Sequence, residues 1–210
     1  MAITFPRTDI ITSVGYTDQT FMLMSRQEIS GQANGVLRGK DLGSALWTAS
    51  YTTIELLNAD AIAFEAALNS LDGLTNAFEA GDLRNRYPRN YPTGSFTDSG
   101  VLATVGSNNK SLSISGLPAN FVISAGDYFH FTYSTSRALH QAVETVTASG
   151  AGLSPVFEVR PFIRPGYTIS NAVTFKLPNG QFILQPNSIS TTLKSMVSSA
   201  VSFKAMQYLA

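Results

Sequence analysis

The chain has few residues of the kinds that carry out chemistry, and their spacing is not that of a catalytic or metal site. Its two histidines, His130 and His140, lack the close second histidine or carboxylate that a metal site usually shows. Asp127 follows Ala125-Gly126, where an aspartate commonly accepts hydrogen bonds from the backbone N–H groups of its own turn. We therefore predict structural roles for all three side chains.

Four carboxylates, Glu55, Asp60, Glu65 and Asp72, surround a predicted helix. Paired carboxylates can hydrolyse glycosidic bonds, but Glu65 and Asp72 are two helical turns apart and are predicted to face solvent or a lumen. The chain has no cysteine, and Gly31–Gly35 lacks the lysine and the strand-to-helix context of a phosphate-binding loop. The sequence thus predicts no catalytic residue, no cofactor and no metal, and it argues against an enzyme.

The composition favours a protein that makes large protein contacts. Of 210 residues, 44% are hydrophobic, but only 13% are charged, about half of the roughly 25% found in ordinary soluble chains. A surface of Ser, Thr, Asn and Gln suits assembly; a secreted or virion-exposed β-protein with a Ser/Thr surface is the alternative.

The net charge argues against a nucleic acid partner, and the lengths of the apolar runs argue against membrane insertion. A formal net charge of +0 leaves no basic excess to hold a nucleic acid backbone. No signal peptide and no membrane-spanning run is recognisable. We therefore expect folding in a cytoplasm and no membrane insertion.

Residues 41–88 contain the single tryptophan and the clearest helical pattern. Alternation predicts a strand with one apolar face, formed by Leu46, Trp47, Ala49, Tyr51 and Thr53. A helix follows, with Asn58 as its N-cap and Gly73 just past its last turn. One face of the helix carries mostly small side chains and is predicted to lie against a sheet, with Phe64, Leu68 and Leu71 at the edges of that face. The residues of this face are Ala59, Ile62, Ala63, Ala66, Ala67 and Ser70.

Strands and turns dominate the rest of the chain. Phe21–Ile29 reads as a strand whose first half is buried on both faces, and Asn34-Gly35 predicts a protruding hairpin. Its polar arms, Arg26–Ala33 and Val36–Leu42, would need a partner for stability.

Residues 94–166 are predicted to form a separate barrel or sandwich of short strands. Those strands are Val101–Val105, Ser111–Ser115, Tyr128–Tyr133, Ala142–Thr147 and Val156–Pro161.

The C-terminal part, residues 167–210, is predicted to return to the first domain, residues 1–93. Asn179-Gly180 predicts a hairpin between Thr174–Leu177 and Phe182–Gln185. Lys194–Tyr208 alternates as one long strand with Val197, Val201 and Phe203 on its buried face.

Several blocks of residues follow one another in a fixed order along the chain. The first blocks are Gly43, Leu46, Trp47 and Ala49, then Asp60, Ala61, Leu68, Leu71 and Gly73, then Phe78, Gly81 and Asp82. Later blocks are Ile123–Phe131, Val156–Pro165 and Leu177–Leu184. Together, the order and spacing of these blocks resemble a family of tail proteins from long-tailed bacteriophages, specifically distal tail proteins. The chain departs from the family at Arg84–Pro92, where related sequences tend to have a small, Gly-rich loop.

The resemblance implies a fold and a set of partners. The fold is α+β: a mainly antiparallel β-sandwich with one packed helix, plus a small inserted β-module. Proteins of this family form a six-fold ring that joins the tail tube protein to the tail hub protein at the distal end of the virion tail. DNA passes through the lumen without specific binding, and assembly takes place in the bacterial cytoplasm.

Candidate subunit contacts follow from this expectation. They are Trp47, Tyr51, Arg84, Arg86, Tyr87, Val197, Val201 and Phe203. Aromatic and arginine side chains are enriched at interface hot spots.

Two other classes of function stay open at this stage. A receptor- or carbohydrate-binding module would use Tyr87, Tyr91 and Tyr128 as stacking platforms. A cell-wall hydrolase would need an essential pair of carboxylates.

Overall fold

The computed structural model describes residues 3–133 and 136–209. In these residues it has fifteen strands, arranged mainly in antiparallel sheets, and one helix. This confirms the predicted α+β, mainly β-sandwich fold. The elements in chain order are β1 (Tyr16–Gly31), β2 (Leu37–Thr53), β3 (Leu56–Leu57), α1 (Asn58–Asn69), β4 (Phe78–Ala80), β5 (Val101–Val105), β6 (Ser111–Ser115), β7 (Val122–Ile123), β8 (Tyr128–Tyr133), β9 (Ser136–Ala142), β10 (Val146–Thr147), β11 (Phe157–Arg160), β12 (Val173–Thr174), β13 (Gly180–Leu184), β14 (Ser190–Leu193) and β15 (Ser198–Gln207).

A seven-stranded sheet forms the first layer. Its order is β1-β2-β15-β13-β4, and β14 and β3 also pair with β15. The alternation in β2 and β15 places every second side chain in one core, as expected for a half-buried strand. Tyr51 and Phe203 stack at the centre of this core with ring centroids 5.3 Å apart.

The helix packs on this sheet, but through a different face from the predicted one. Ala61, Phe64 and Leu68 are buried, whereas Ile62 is 67% exposed. The predicted alanine stripe is therefore wrong, because the large Phe64 and Leu68 side chains bury more apolar area than alanines can.

The predicted N-cap is also wrong. Leu57 occupies the N-cap position, and Asn58 is the first helical residue. The Asn58 side chain instead donates to the Met196 carbonyl at 3.0 Å and accepts from the Ser199 hydroxyl at 2.7 Å. Asn58 thus fixes the turn between β14 and β15 beside the start of the helix.

The second layer is a six-stranded sheet, β12-β8-β9-β11-β6-β5, that closes on itself. The Leu102 N–H of β5 donates to Asn171 O at 2.9 Å, and Val173 N–H donates to Gly100 O at 2.8 Å. These bonds join the two ends of the sheet into a small barrel. Its core is apolar and extends to Val173 and Phe175, past the predicted module boundary at residue 166.

Three predicted strand assignments are corrected. The strand expected at 142–147 is divided: β9 ends at Ala142, and the two-residue β10 pairs with β7. Phe21–Met24 alternates between core and surface, since Met22 is 53% exposed. Asn179-Gly180 does not form a hairpin, because β12 belongs to the barrel and β13 to the first sheet.

The single tryptophan joins the two layers. The Trp47 indole N–H donates to the Leu139 carbonyl of β9 at 2.9 Å, and both groups are buried. The Trp47 ring also contacts Phe21 and Tyr128, with centroid distances of 5.2 and 5.3 Å. Tyr128 and Leu139 come from the barrel strands but belong to the first core, so the two cores are in direct contact.

We expect Trp47→Phe to destabilise the protein by about 1–3 kcal/mol, because a buried Leu139 carbonyl loses its donor. Urea unfolding followed by circular dichroism measures this loss. The control Met22→Leu changes an exposed side chain and should stay within about 0.5 kcal/mol of the wild type. An unchanged Trp47→Phe midpoint would show that the indole bond contributes nothing.

Candidate functional site

The two histidines are buried and make internal hydrogen bonds. His140 is 1% exposed; its Nδ1 is 3.0 Å from Pro161 O and its Nε2 is 3.1 Å from the Tyr133 hydroxyl. Because a carbonyl only accepts, Nδ1 donates and Nε2 accepts the hydroxyl proton. His130 Nδ1 accepts the Asn179 N–H at 3.1 Å.

Both imidazoles are held neutral at pH 7. Burial lowers the pKa of His140 to about 4. Burial, together with the charge of Arg137, lowers the pKa of His130 to about 3. Neither histidine faces solvent, which favours the structural role predicted for each.

Asp127 lies in the turn that the sequence predicts for it. Its carboxylate is fully buried and accepts the Ser124 N–H at 2.8 Å, within its own turn. It also accepts the Arg89 N–H at 2.9 Å, which ties the 84–92 connector to the barrel. Burial raises the pKa of Asp127, although both N–H donors oppose this shift.

The helix carboxylates do not converge on a pocket as a catalytic pair would. Asp60 and Asp72 are exposed, and the half-buried Glu65 accepts a hydrogen bond from the Thr191 hydroxyl at 2.9 Å. Among residues 3–133 and 136–209, no cluster of three metal-ligating side chains is found. In the same residues, no helix has the length and apolarity to cross a membrane.

The structure corrects four of the predicted contact residues. Trp47, Tyr51, Val201 and Phe203 expose at most 2% of their surface, because they fill the core of their own subunit. Their side chains are thus unable to contact a neighbour.

The other four predicted contact residues are at least partly accessible. Val197 is 66% exposed, the Arg84 side chain is 69% exposed, Arg86 is exposed and Tyr87 is half-buried. Their role at an interface stays a prediction.

The three tyrosines proposed as sugar platforms are mostly occupied by internal contacts. Tyr91 stacks on Phe121 with a 4.5 Å centroid distance, and its hydroxyl accepts the Val122 N–H at 3.1 Å. Tyr128 is buried in the first core, and the half-buried Tyr87 ring lies against Gly94. No exposed aromatic platform results from them.

The most accessible surface is a long β-hairpin. β1 and β2 continue beyond the sheet as a two-stranded ribbon, and every residue from 24 to 42 is exposed. We name residues 24–42 the arm. Its turn is closed by the Gly35 N–H, which donates to Gln32 O at 2.9 Å, and Gly35 has φ = +81°. The predicted hairpin at Asn34-Gly35 is confirmed.

The arm has two different faces. Ile29 lies opposite Gly39, and Leu37 lies opposite Gly31, so both apolar side chains share one face with glycines as their partners. They are 72% and 73% exposed.

The opposite face of the arm is charged. It displays Glu28 opposite Lys40 and Arg38 opposite Ser30. The outer part of the arm is therefore an amphipathic ribbon. Nearer the sheet, the face of Ile29 and Leu37 also carries Gln27 opposite Asp41.

The first sheet also has strands that pair on one side only. In the described part of the chain, β1 pairs only with β2, and β14 only with β15. The β14–β15 turn displays Leu193, Met196 and Val197, of which Met196 is 93% exposed. Unpaired edges next to apolar side chains are suited to pairing with another chain.

Sequence reasoning missed both apolar surfaces. It read the arm as polar and Lys194–Val197 as strand. A signal was present at Ser195, whose hydroxyl accepts the N–H groups of Val197 and Ser198, as serine commonly does in turns.

Comparison of the chain with protein-family models finds no match, and comparison with curated proteins finds none either.

Stability should fall in acid because of the two histidines. A lowered pKa means that the unfolded chain binds the proton better, so stability is full above pH 6.5 and decreases as the pH falls toward 4. Between pH 7.5 and 5 each histidine should cost about 2 kcal/mol.

The matched measurement compares urea unfolding at the two pH values. His140→Gln should reduce the difference between them by about 2 kcal/mol, whatever its effect at pH 7.5. An undiminished difference would show that His140 is not the group responsible.

Proposed function

We propose that this chain is a structural protein of a long-tailed bacteriophage, a distal tail protein that assembles into a ring, with six-fold symmetry as the family resemblance implies. The observation that carries the proposal is the arm. Its apolar face is exposed, and a two-stranded hairpin alone is at best marginally stable in water. A neighbouring subunit would cover this face and stabilise the ribbon.

Pairing of β1 with β14 of a neighbour would favour a ring over a symmetric dimer. β1 and β14 are different strands, so an edge contact between them would be heterologous. Heterologous contacts produce closed rings when the rotation between subunits closes. A continuous sheet around the ring would also remove the exposed edges.

The charge and the sandwich-plus-helix fold agree with the remaining parts of the proposal. The ring would join the tail tube to the tail hub at the distal end of the virion tail. Its lumen would let DNA pass without specific binding, for which the balance of 14 basic and 14 acidic residues provides no overall attraction.

The arm provides the direct test. Wild-type protein should form a ring with a central hole in electron micrographs and the corresponding mass in light scattering. Ile29→Asp with Leu37→Asp should yield folded monomer, because two carboxylates would have to be buried at the contact. The matched control, Glu28→Gln with Arg38→Gln, changes the opposite face and should still assemble.

Two results would count against the proposal. A wild-type chain that stays monomeric at high concentration would argue against self-assembly. A ring that survives the double Asp variant would show that the apolar face of the arm is not the contact. Sugar binding by a monomer would favour the receptor-binding alternative.

A further inference from the structure

The 84–92 connector carries three arginines, of which one has an ion-pair partner among the described residues. Arg84 is neutralised by Asp82, with a 2.8 Å contact between them. The exposed Arg86 and Arg89 form no side-chain hydrogen bond or ion pair with any residue that the structure describes. Together with Tyr87 and Pro88, these arginines line an open cavity of about 490 Å³.

Hydrogen bonds to the barrel hold the backbone of the connector in place. Asn85 donates to Gly126 O at 2.8 Å, Arg89 N–H to Asp127 at 2.9 Å, and Asn90 to the Ser124 hydroxyl at 3.1 Å. Pro88 is buried. Because the backbone is fixed at several points, binding an anionic surface would cost the ordering of the two arginine side chains but not that of the loop.

The same chain has an anionic surface of matching kind. Residues 41–83 contain seven acidic residues and no lysine or arginine. Two of them have partners, Asp82 with Arg84 and Glu79 with Arg137. Glu55 and Asp60, at the start of α1, are exposed and make no ion pair with the described residues.

A groove lies beside Asp60, and Glu55 stands in the chain between Ile54 and Leu56 of its rim. The groove has a volume of about 480 Å³, and Asp60 borders it together with Ile54, Leu56, Ala63 and Ala67. Arginine suits such a groove, since its aliphatic stem covers apolar side chains while the guanidinium reaches a carboxylate at the edge.

We propose that the arginine connector of one subunit, through Arg86 and Arg89, docks on the α1 groove of a second copy and pairs with Glu55 and Asp60. This inference rests on the proposed ring and names one of its contacts. The contact is heterologous, because connector and groove are different surfaces, and it would fix the order and register of subunits while the arm contributes apolar burial.

The test exchanges the charges. Variant A is Arg86→Glu with Arg89→Glu, and variant B is Glu55→Lys with Asp60→Lys. Each alone places like charges at every contact, so each should need at least tenfold more protein for half-assembly in light scattering. An equal mixture should recover wild-type assembly, because A and B alternate with opposite charges at each contact.

The matched control, Lys110→Glu with Lys176→Glu, makes the same change in net charge on the barrel and should assemble like the wild type. Circular dichroism confirms that each variant is folded; the four changed residues in A and B are exposed.

The outcomes separate the two proposals. If the wild type and variant A both assemble normally, the connector contact is wrong and the ring stands. If A and B are monomeric but their mixture is too, the connector binds something other than the α1 groove, and the contact is overturned. A monomeric wild type overturns the ring and this contact with it.

Discussion

The contact between Trp47 and Leu139 is the interaction on which the arrangement of the molecule depends. It is a buried hydrogen bond from an indole of the first sheet to a backbone carbonyl of the barrel. An unpaired carbonyl at this place would cost free energy, and Phe21, stacked on the indole, and Tyr128, in edge contact with it, restrict its orientation. The barrel is therefore held on the sheet in one position, and the 84–92 connector is fixed with it through Asp127.

The exposed part of the molecule shows the opposite situation. The apolar side chains of the two cores are buried, yet the arm presents Ile29 and Leu37 to water. A monomer gains nothing from a ribbon that costs conformational entropy and buries little. In the proposed ring a partner would cover this ribbon, and the arm is therefore the observation that supports the proposal of assembly.

The low content of charged residues can be interpreted from the positions of those residues along the chain. The 14 cations and 14 anions are not evenly mixed, since the stretch from 41 to 83 is entirely acidic among its charged residues and three arginines follow directly. A neutral chain with separated charges can attract its own copies at one surface and exclude wrong orientations at others. Apolar burial and charge would thus have separate roles: the first stabilises the contact, and the second orders it.

The amino-acid pattern by itself determined the local elements. Alternation in Trp47–Thr53 and Val201–Ala205, the Asn34-Gly35 turn, the helix near residue 60 and the turn role of Asp127 are all local consequences of side-chain period and turn chemistry. The tertiary structure decided which faces are buried. In α1, Phe64 and Leu68 face the core. Tyr51 and Phe203 are buried in the core and not at an interface. β12 pairs with β8 of the barrel, whereas β13 pairs with β15 and β4 of the first sheet. The spacing of apolar residues identifies one face of a helix or strand, but it does not show which layer of the protein covers that face. The covering layer depends on contacts between residues far apart in the chain.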